Sequence, residues 1–268
     1  MGLSGLSHIF LEVSSRCDKK TLCSVCGHQS PKFNPHLELG DIDFSVLEKV
    51  RGELGTGVEI SFHHDGDPLV YGRLADALDL FEGFVTSIVT HGQSLDRRAQ
   101  DIIGRATTVT VSVVQPDPDW ELQIESVKDF LAQRGDNSPM VNFKFVGFIP
   151  PERVVAYERL GLPILRRLLH VPDGNYRYVR REPTKPESFV CLDMLHSPAV
   201  NWKAEVFVCN RFNPSHDGLL GSLHENTLDE LWNSPKRKEW LEAHKRGRRD
   251  QANPLCAKCL YWGVPSEA

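Results

Sequence analysis

Ile9-Phe10-Leu11-Glu12-Val13-Ser14-Ser15-Arg16-Cys17-Asp18-Lys19-Lys20-Thr21-Leu22-Cys23-Ser24-Val25-Cys26 is the stretch on which the fold turns. Ile9 to Val13 has the length and the branched apolar content of a buried strand. Four residues after it stands Cys17, the first member of a C-x5-C-x2-C set. A strand running directly into a loop of three thiols places reactive groups at the strand's C-terminal end. Parallel α/β folds build their active sites at that end.

The chain outward from this stretch alternates short apolar runs with helical patterns. Further strands are expected at Val58 to Phe62, Val85 to Thr90, Val109 to Val114 and Val141 to Val146, with a sixth around Leu168 to Val171. Helices are expected between them at Phe44 to Leu54, Leu74 to Phe81, Asp96 to Ile103, Leu122 to Arg134 and Arg153 to Leu160. Parallel strands need crossover connections, so repeated strand-helix units predict a parallel sheet, open or closed into a partial barrel. The alternation stops near residue 173, and Asp173 to Glu187, rich in Pro, Arg and Tyr, reads as a connector. Beyond it the pattern is irregular, with a short strand at Ala204 to Val208 and one helix from Thr227 to about Lys245 that Thr227 and Glu230 open as a capping box. The basic run Lys236 to Arg249 on that helix is expected to be a solvated face.

The remaining cysteines, Cys191, Cys209, Cys256 and Cys259, complete a total of seven, three near the N-terminus and four near the C-terminus. No signal-peptide pattern and no long apolar run appears, so the chain is expected to be cytoplasmic and not to enter a membrane. In a reducing compartment C-x2-C pairs are metal or redox motifs, and an odd total leaves a disulfide framework incomplete. The net charge of −5 argues against nucleic acid as a partner. About 80 irregular C-terminal residues need a metal constraint to hold a core. Zinc and an iron-sulfur cluster both suit four thiolates, and Cys17, Cys23 and Cys26 together with His28 make a second possible zinc set.

The order of these motifs resembles the radical S-adenosylmethionine (SAM) enzymes. In that family three cysteines after the first barrel strand bind a 4Fe-4S cluster whose open iron takes SAM. The usual C-x3-C-x2-C is lengthened here, and Val25 stands where an aromatic commonly precedes the third cysteine. His64-Asp65-Gly66-Asp67-Pro68-Leu69 is similar to the family's Gly-Gly-Glu-Pro segment, which implies that Asp65, Gly66, Asp67 and Pro68 receive the SAM amine. Thr90-His91-Gly92 resembles the family's Thr-Asn-Gly, Ser112 stands where a polar group reaches the SAM carboxylate or ribose, and Phe148 and Ile149 after Gly147 resemble the residues packed on adenine.

The C-terminal pattern C-x17-C-x46-C-x2-C, with Gly221 and Thr227-Leu228-Asp229-Glu230-Leu231-Trp232 between, looks like a twitch domain, the short relative of the SPASM domain. The resemblance implies a partial (β/α)6 TIM-type barrel over residues 1–173, a connector over 174–187 and a small irregular iron-sulfur domain over 188–268. It implies two 4Fe-4S clusters and SAM as cofactors, with Cys17, Cys23 and Cys26 on one cluster and Cys191, Cys209, Cys256 and Cys259 on the other. An external one-electron reductant of flavodoxin or ferredoxin type would start the reaction. A 5'-deoxyadenosyl radical would then take hydrogen from the substrate.

All seven thiols are then assigned, so no cysteine remains to return a hydrogen atom, which favours oxidation. The layout, with Ser61-Phe62-His63 before the Gly-Asp-Pro, is similar to that of an aminocyclitol dehydrogenase branch of the family. His63 and His64 are candidate bases, only one of which can face the cavity. Arg211, with Arg177 or Arg180, is a candidate grip for a carboxylate or phosphate. A small molecule such as a sugar, cyclitol or nucleoside is the first substrate reading. A ribosomally made peptide is the second, and the chain shows no N-terminal peptide-recognition segment to support it. A non-enzymatic zinc or electron-transfer protein is the third.

Overall fold

The computed structural model describes residues 3–21, 26–28, 34–35, 37–114, 117–167 and 190–259. The expected strands form β1 (His8–Leu11), β2 (Glu59–Phe62), β3 (Val85–Thr90), β4 (Thr108–Val114) and β5 (Met140–Val146). The sixth strand, β6 (Ile164–Arg167), lies before the segment expected for it, and residues 168–171 fall outside the described ones. Pro163 delivers its carbonyl to the Phe143 N–H, so pairing with β5 begins at once after the Gly161 turn. Strands β1 to β6 pair in parallel in sequence order, as a partial barrel requires.

The pleat assigns the two faces. In β4, Val109, Val111 and Val113 are buried, whereas Thr108, Thr110, Ser112 and Val114 point the other way and are half-buried. The apolar face lies under α1 (Phe44–Glu53), α2 (Leu74–Leu80), α3 (Ala99–Ile102), α4 (Trp120–Arg134) and α5 (Pro151–Glu158). Phe62 meets Phe81 edge-on, and Phe143 and Phe145 both meet Tyr157. Each such aromatic, withdrawn from water, contributes about 1.5–3 kcal/mol. The opposite, polar face lines the barrel interior. Helix α3 is shorter than the stretch expected from Asp96, because residues 96–98 form turns in which Ser126 Oγ donates to Asp96.

The C-terminal residues are more regular than their sequence suggests. Three further strands, β7 (Ala199–Val200), β8 (Glu205–Phe207) and β9 (Leu219–Ser222), continue the same sheet beyond β1. β7 is parallel to β1, and β8 and β9 follow antiparallel. The Phe10 and Glu12 N–H groups donate to the Pro198 and Val200 carbonyls. After the short α6 (Leu192–His196), the single helix expected from Thr227 is two: α7 (Leu228–Trp232) and α8 (Pro235–Lys245). The capping box of Thr227 and Glu230 is present, but Ser234 caps a new start with Pro235 in its first turn. The basic run is not a solvated face throughout. Arg237, His244 and Arg249 are buried, and the Arg237 guanidinium lies 3.3 Å from the Trp232 ring centroid while donating to the Trp232 and Met194 carbonyls.

The C-terminal region docks through polar and steric contacts. Lys49 of α1 donates to the Asn226 carbonyl at 2.9 Å, and the Glu53 carboxylate accepts from the Leu228 and Asp229 N–H groups that open α7. Trp202 packs so closely on Gly40 that a Cβ there would overlap its ring. Among the described residues no helix is long and apolar enough to cross a membrane.

Candidate active site and metal centres

The loop after β1 is tied down on both sides. Lys19 and Asp117 form an ion pair of 2.6 Å with both side chains 3% exposed, linking the cysteine loop to the turn before α4. The Ser15 hydroxyl accepts from the Gly40 N–H, and the Asp67 N–H donates to the Arg16 carbonyl at 2.8 Å. Gly66 is pressed against this loop, and any Cβ there would overlap the Ser14 carbonyl oxygen and the Ser15 backbone. Cys17 and Cys26 are half-buried here and outside any disulfide, and Cys23 and Val25 lie outside the described residues.

The Asp67 carboxylate turns inward. It accepts from the Leu69 N–H at 2.9 Å, the Thr90 hydroxyl at 2.8 Å and the His91 N–H at 2.8 Å, and Pro68 follows as the first residue of a short 3-10 turn. The Thr90 hydroxyl accepts in turn from the Gly92 N–H. The shorter side chain thus joins the loops after β2 and β3 rather than holding its oxygens out towards a ligand. His91, which sequence reasoning passed over as a site residue, completes the link. Burial opposes its charge, yet Asp67 and hydrogen bonds to Asp18 and Cys17 raise its pKa to about 10. Its Nε2 lies 2.9 Å from Asp18.

The two adjacent histidines separate as the pleat requires. His63 enters the barrel interior, meeting Phe10 edge-on, and its Nδ1 is buried without a hydrogen bond. Burial, reinforced by nearby Lys144, holds its pKa well below the ordinary histidine value. His64 lies against Phe207 in a separate cavity of about 110 Å³ that Trp202, Glu205 and His216 also line. There, burial opposes its charge, but Asp65 at 3.2 Å and Glu12 at 3.9 Å raise its pKa to about 9. His63 is therefore the neutral imidazole of the pair, and His64 the cation. Glu12, another residue the sequence did not single out, is buried, and burial raises its pKa.

His28 does not have the look of a zinc ligand. Its Nε2 lies 2.9 Å from the Ser15 carbonyl, and its Nδ1 faces Asp65 at 3.8 Å. Ser112 lies on the interior face of β4 beside Lys144 of β5. Phe148 is 66% exposed just beyond the β5 end, while Ile149 is buried in the core. Arg177 lies outside the described residues, and Arg211 pairs with Asp193 at 3.3 Å.

The C-terminal cysteines converge. Cys191, Cys209, Cys256 and Cys259 line one small cavity of about 20 Å³ with Asp193, Arg211, His244, Arg249 and Leu255. Asn253 caps α9 (Pro254–Lys258), accepting from the Cys256 N–H at 2.8 Å, and so fixes the C-x2-C pair. Burial raises the thiol pKa of Cys191 to about 11 and of Cys256 to about 12, and holds that of Cys209 well above its ordinary value. Thiols this dry ionise when a metal supplies positive charge. The donor set fits an iron-sulfur cluster.

Residues 191–260 match the family described as SPASM, iron-sulfur cluster-binding domain. The chain carries a SPASM domain. The fold around it is that of several solved structures. BtrN in complex with AdoMet and 2-DOIA is similar over 98% of this chain and 96% of its own, at a TM-score of 0.59 and 16% identity. Native anSMEcpe with bound AdoMet matches at a TM-score of 0.61 and 14% identity, over 88% of this chain and 83% of its own. Streptococcus suis SuiB bound to precursor peptide SuiA matches at 0.55 and 13% identity, over 95% and 71%. No curated protein matches by sequence. The match over residues 191–260 bears out the expected C-terminal iron-sulfur domain, and the partial barrel has the fold of these AdoMet-bound structures.

Proposed function

We propose that this chain is a radical SAM oxidoreductase that oxidises a small molecule of sugar, cyclitol or nucleoside type. Held by Cys17, Cys23 and Cys26 and by the four C-terminal cysteines, the two 4Fe-4S clusters would supply one-electron transfer, and SAM would supply the means of removing a substrate hydrogen atom. Residues 1–173 form the barrel that presents Cys17, Cys23 and Cys26, residues 174–187 connect, and residues 188–268 hold the auxiliary cluster. The protein's own work is positioning. Gly66 lets the loop after β2 lie on the cysteine loop, and Asp67 with Thr90 and His91 fixes the loops that face SAM.

The observation that carries the oxidative reading is His63, a neutral imidazole on the barrel interior with a buried, unpaired Nδ1. Oxidation of a carbinol-like radical releases one proton and one electron, and Nδ1 is the atom that takes the proton. No seventh-plus-one thiol exists to hand a hydrogen atom back, since all seven cysteines belong to the two ligand sets. The likeness to SuiB, crystallised with its precursor peptide, favours a second reading as a peptide maturase that oxidises or crosslinks residues.

Anaerobic reconstitution tests the proposal. The expected result is about eight irons per chain and reductant-dependent formation of 5'-deoxyadenosine. Cys17→Ala should abolish SAM cleavage and Cys256→Ala should retain part of it. Zinc in place of iron, or an iron content of about four, would sink the two-cluster reading.

A further inference from the structure

The barrel interior carries a buried lysine that no described residue pairs. Lys144 occupies the interior face of β5, two residues before the strand ends. In the parallel register Lys144 lies beside Leu165 and Val146 beside Arg167, so Arg167 of β6 shares the face of Lys144. Its neighbour Arg166 points to the other side, over the Phe145 ring. Arg211, reaching in from the SPASM domain, is close enough to act electrostatically on both Lys144 and His63. Asp193 is the carboxylate that pairs with Arg211. Lys144 has no ion-pair or hydrogen-bond partner among the described residues. Lys144 and Arg211 both act on the neutral His63 imidazole, Asp65 opposes them, and Arg167 stands exposed at the β6 edge of the same face.

Unfilled polar atoms lie on the same face. Asn142, two residues before Lys144, is buried with its Oδ1 unpaired, and the His63 Nδ1 is likewise without a partner. Ser112 of β4 stands beside Lys144 in register. Burial and the neighbouring guanidinium groups of Arg167 and Arg211 press the Lys144 pKa down to about 8, as expected where like charges are gathered without an anion. A buried cation costs stability unless paired, so Lys144 is held ready for a ligand of opposite charge.

We infer that Lys144, Arg167 and Arg211 form an oxyanion site on the interior face where the barrel ends at β6, which binds a phosphate or carboxylate group of the substrate and places its remainder beside His63. The site rests on the proposed function for its reaction but not for its ligand chemistry. An aminocyclitol, which is cationic, would be repelled from this interior. A phosphorylated sugar, a nucleotide or an acid is the substrate class it accepts.

The test uses the anaerobically reconstituted full chain with SAM present, titrated calorimetrically with inorganic phosphate and separately with acetate. Wild type should bind at least one of them saturably. Lys144→Gln and Arg167→Gln should each weaken that binding about tenfold or more, the loss expected for one charge-assisted hydrogen bond. Arg167 lies on an exposed edge strand, so its variant reports even where Lys144→Gln unfolds. Absence of saturable binding to wild type, or equal binding by both variants, overturns the site. A loss of SAM affinity in Lys144→Gln with anion binding intact also overturns it, assigning the lysine to the SAM carboxylate instead. Formation of 5'-deoxyadenosine is measured in parallel. If it fails while the anion still binds, the oxyanion site stands and the proposed function falls.

Discussion

Gly66 shows how a single atom can control a cofactor loop. A methyl group at this position would occupy the space of the Ser14 carbonyl, and both backbones are held by strands β1 and β2. Gly66→Ala is therefore expected to displace the cysteine loop and to cut iron content at the first site by more than half, measured against Gly52→Ala, where a Cβ meets nothing. At the same scale the two adjacent histidines have opposite pH behaviour. The folded-state pKa of His64 is raised to about 9, so its contribution to stability is full below the ordinary histidine value near 6.5 and is lost as pH rises through 9. Thermal unfolding of wild type should thus lose stability between about pH 6.5 and 9, and His64→Asn should flatten that part of the profile. His63 has the reverse shift and stays neutral, so a rate that depends on it as a base should persist to pH values below 6.5. His63→Gln should lower product formation while leaving 5'-deoxyadenosine formation in place, as liquid chromatography of quenched reactions would show.

Elements are held in place by a few buried polar ties. The ion pair of Lys19 and Asp117 joins the cysteine loop to the turn before α4, and breaking one side leaves a buried charge alone, at about 3–5 kcal/mol. Lys19→Met should lower the unfolding midpoint by that loss, and the double variant Lys19→Met, Asp117→Leu should recover much of it. Elements were also where the sequence was most readable. Alternation along β4 and β5 is clear because one face packs under helices and the other faces a polar interior. The break between α7 and α8 was less visible, since the apolar spacing runs through it and only Ser234 and Pro235 mark the interruption. Strands β7 and β9 were missed because two to four residues are too short to show a period. The cysteines and the Gly66 turn were legible because their chemistry is local. Lys144 and Arg167 were not, since their meaning lies in a register between strands about twenty residues apart in sequence, which only the folded sheet brings together.

The molecule as a whole is one nine-stranded sheet with the two metal-binding regions on either side of β1. Trp202 on Gly40, and Lys49 and Glu53 at the start of α7, add side-chain contacts to the strand pairing. Trp202→Ala should cost about 3–5 kcal/mol by emptying that contact, with hydrogen exchange rising in both regions together rather than in one. Stripping iron should act differently. It is expected to raise exchange in residues 190–259 well before it affects α4 and α5, because only the former rely on thiolate bonds to close their core.

The hydrogen bonds from Phe10 and Glu12 to the Pro198 and Val200 carbonyls make β1 the shared rail of both regions. The spacing between the two cysteine-bearing regions is then written in strand register, as a fixed count of rungs. A one-residue slip of β7 along β1 would turn each of its side chains to the other face, so the pleat holds this spacing to a single value. The sheet serves this protein as its ruler.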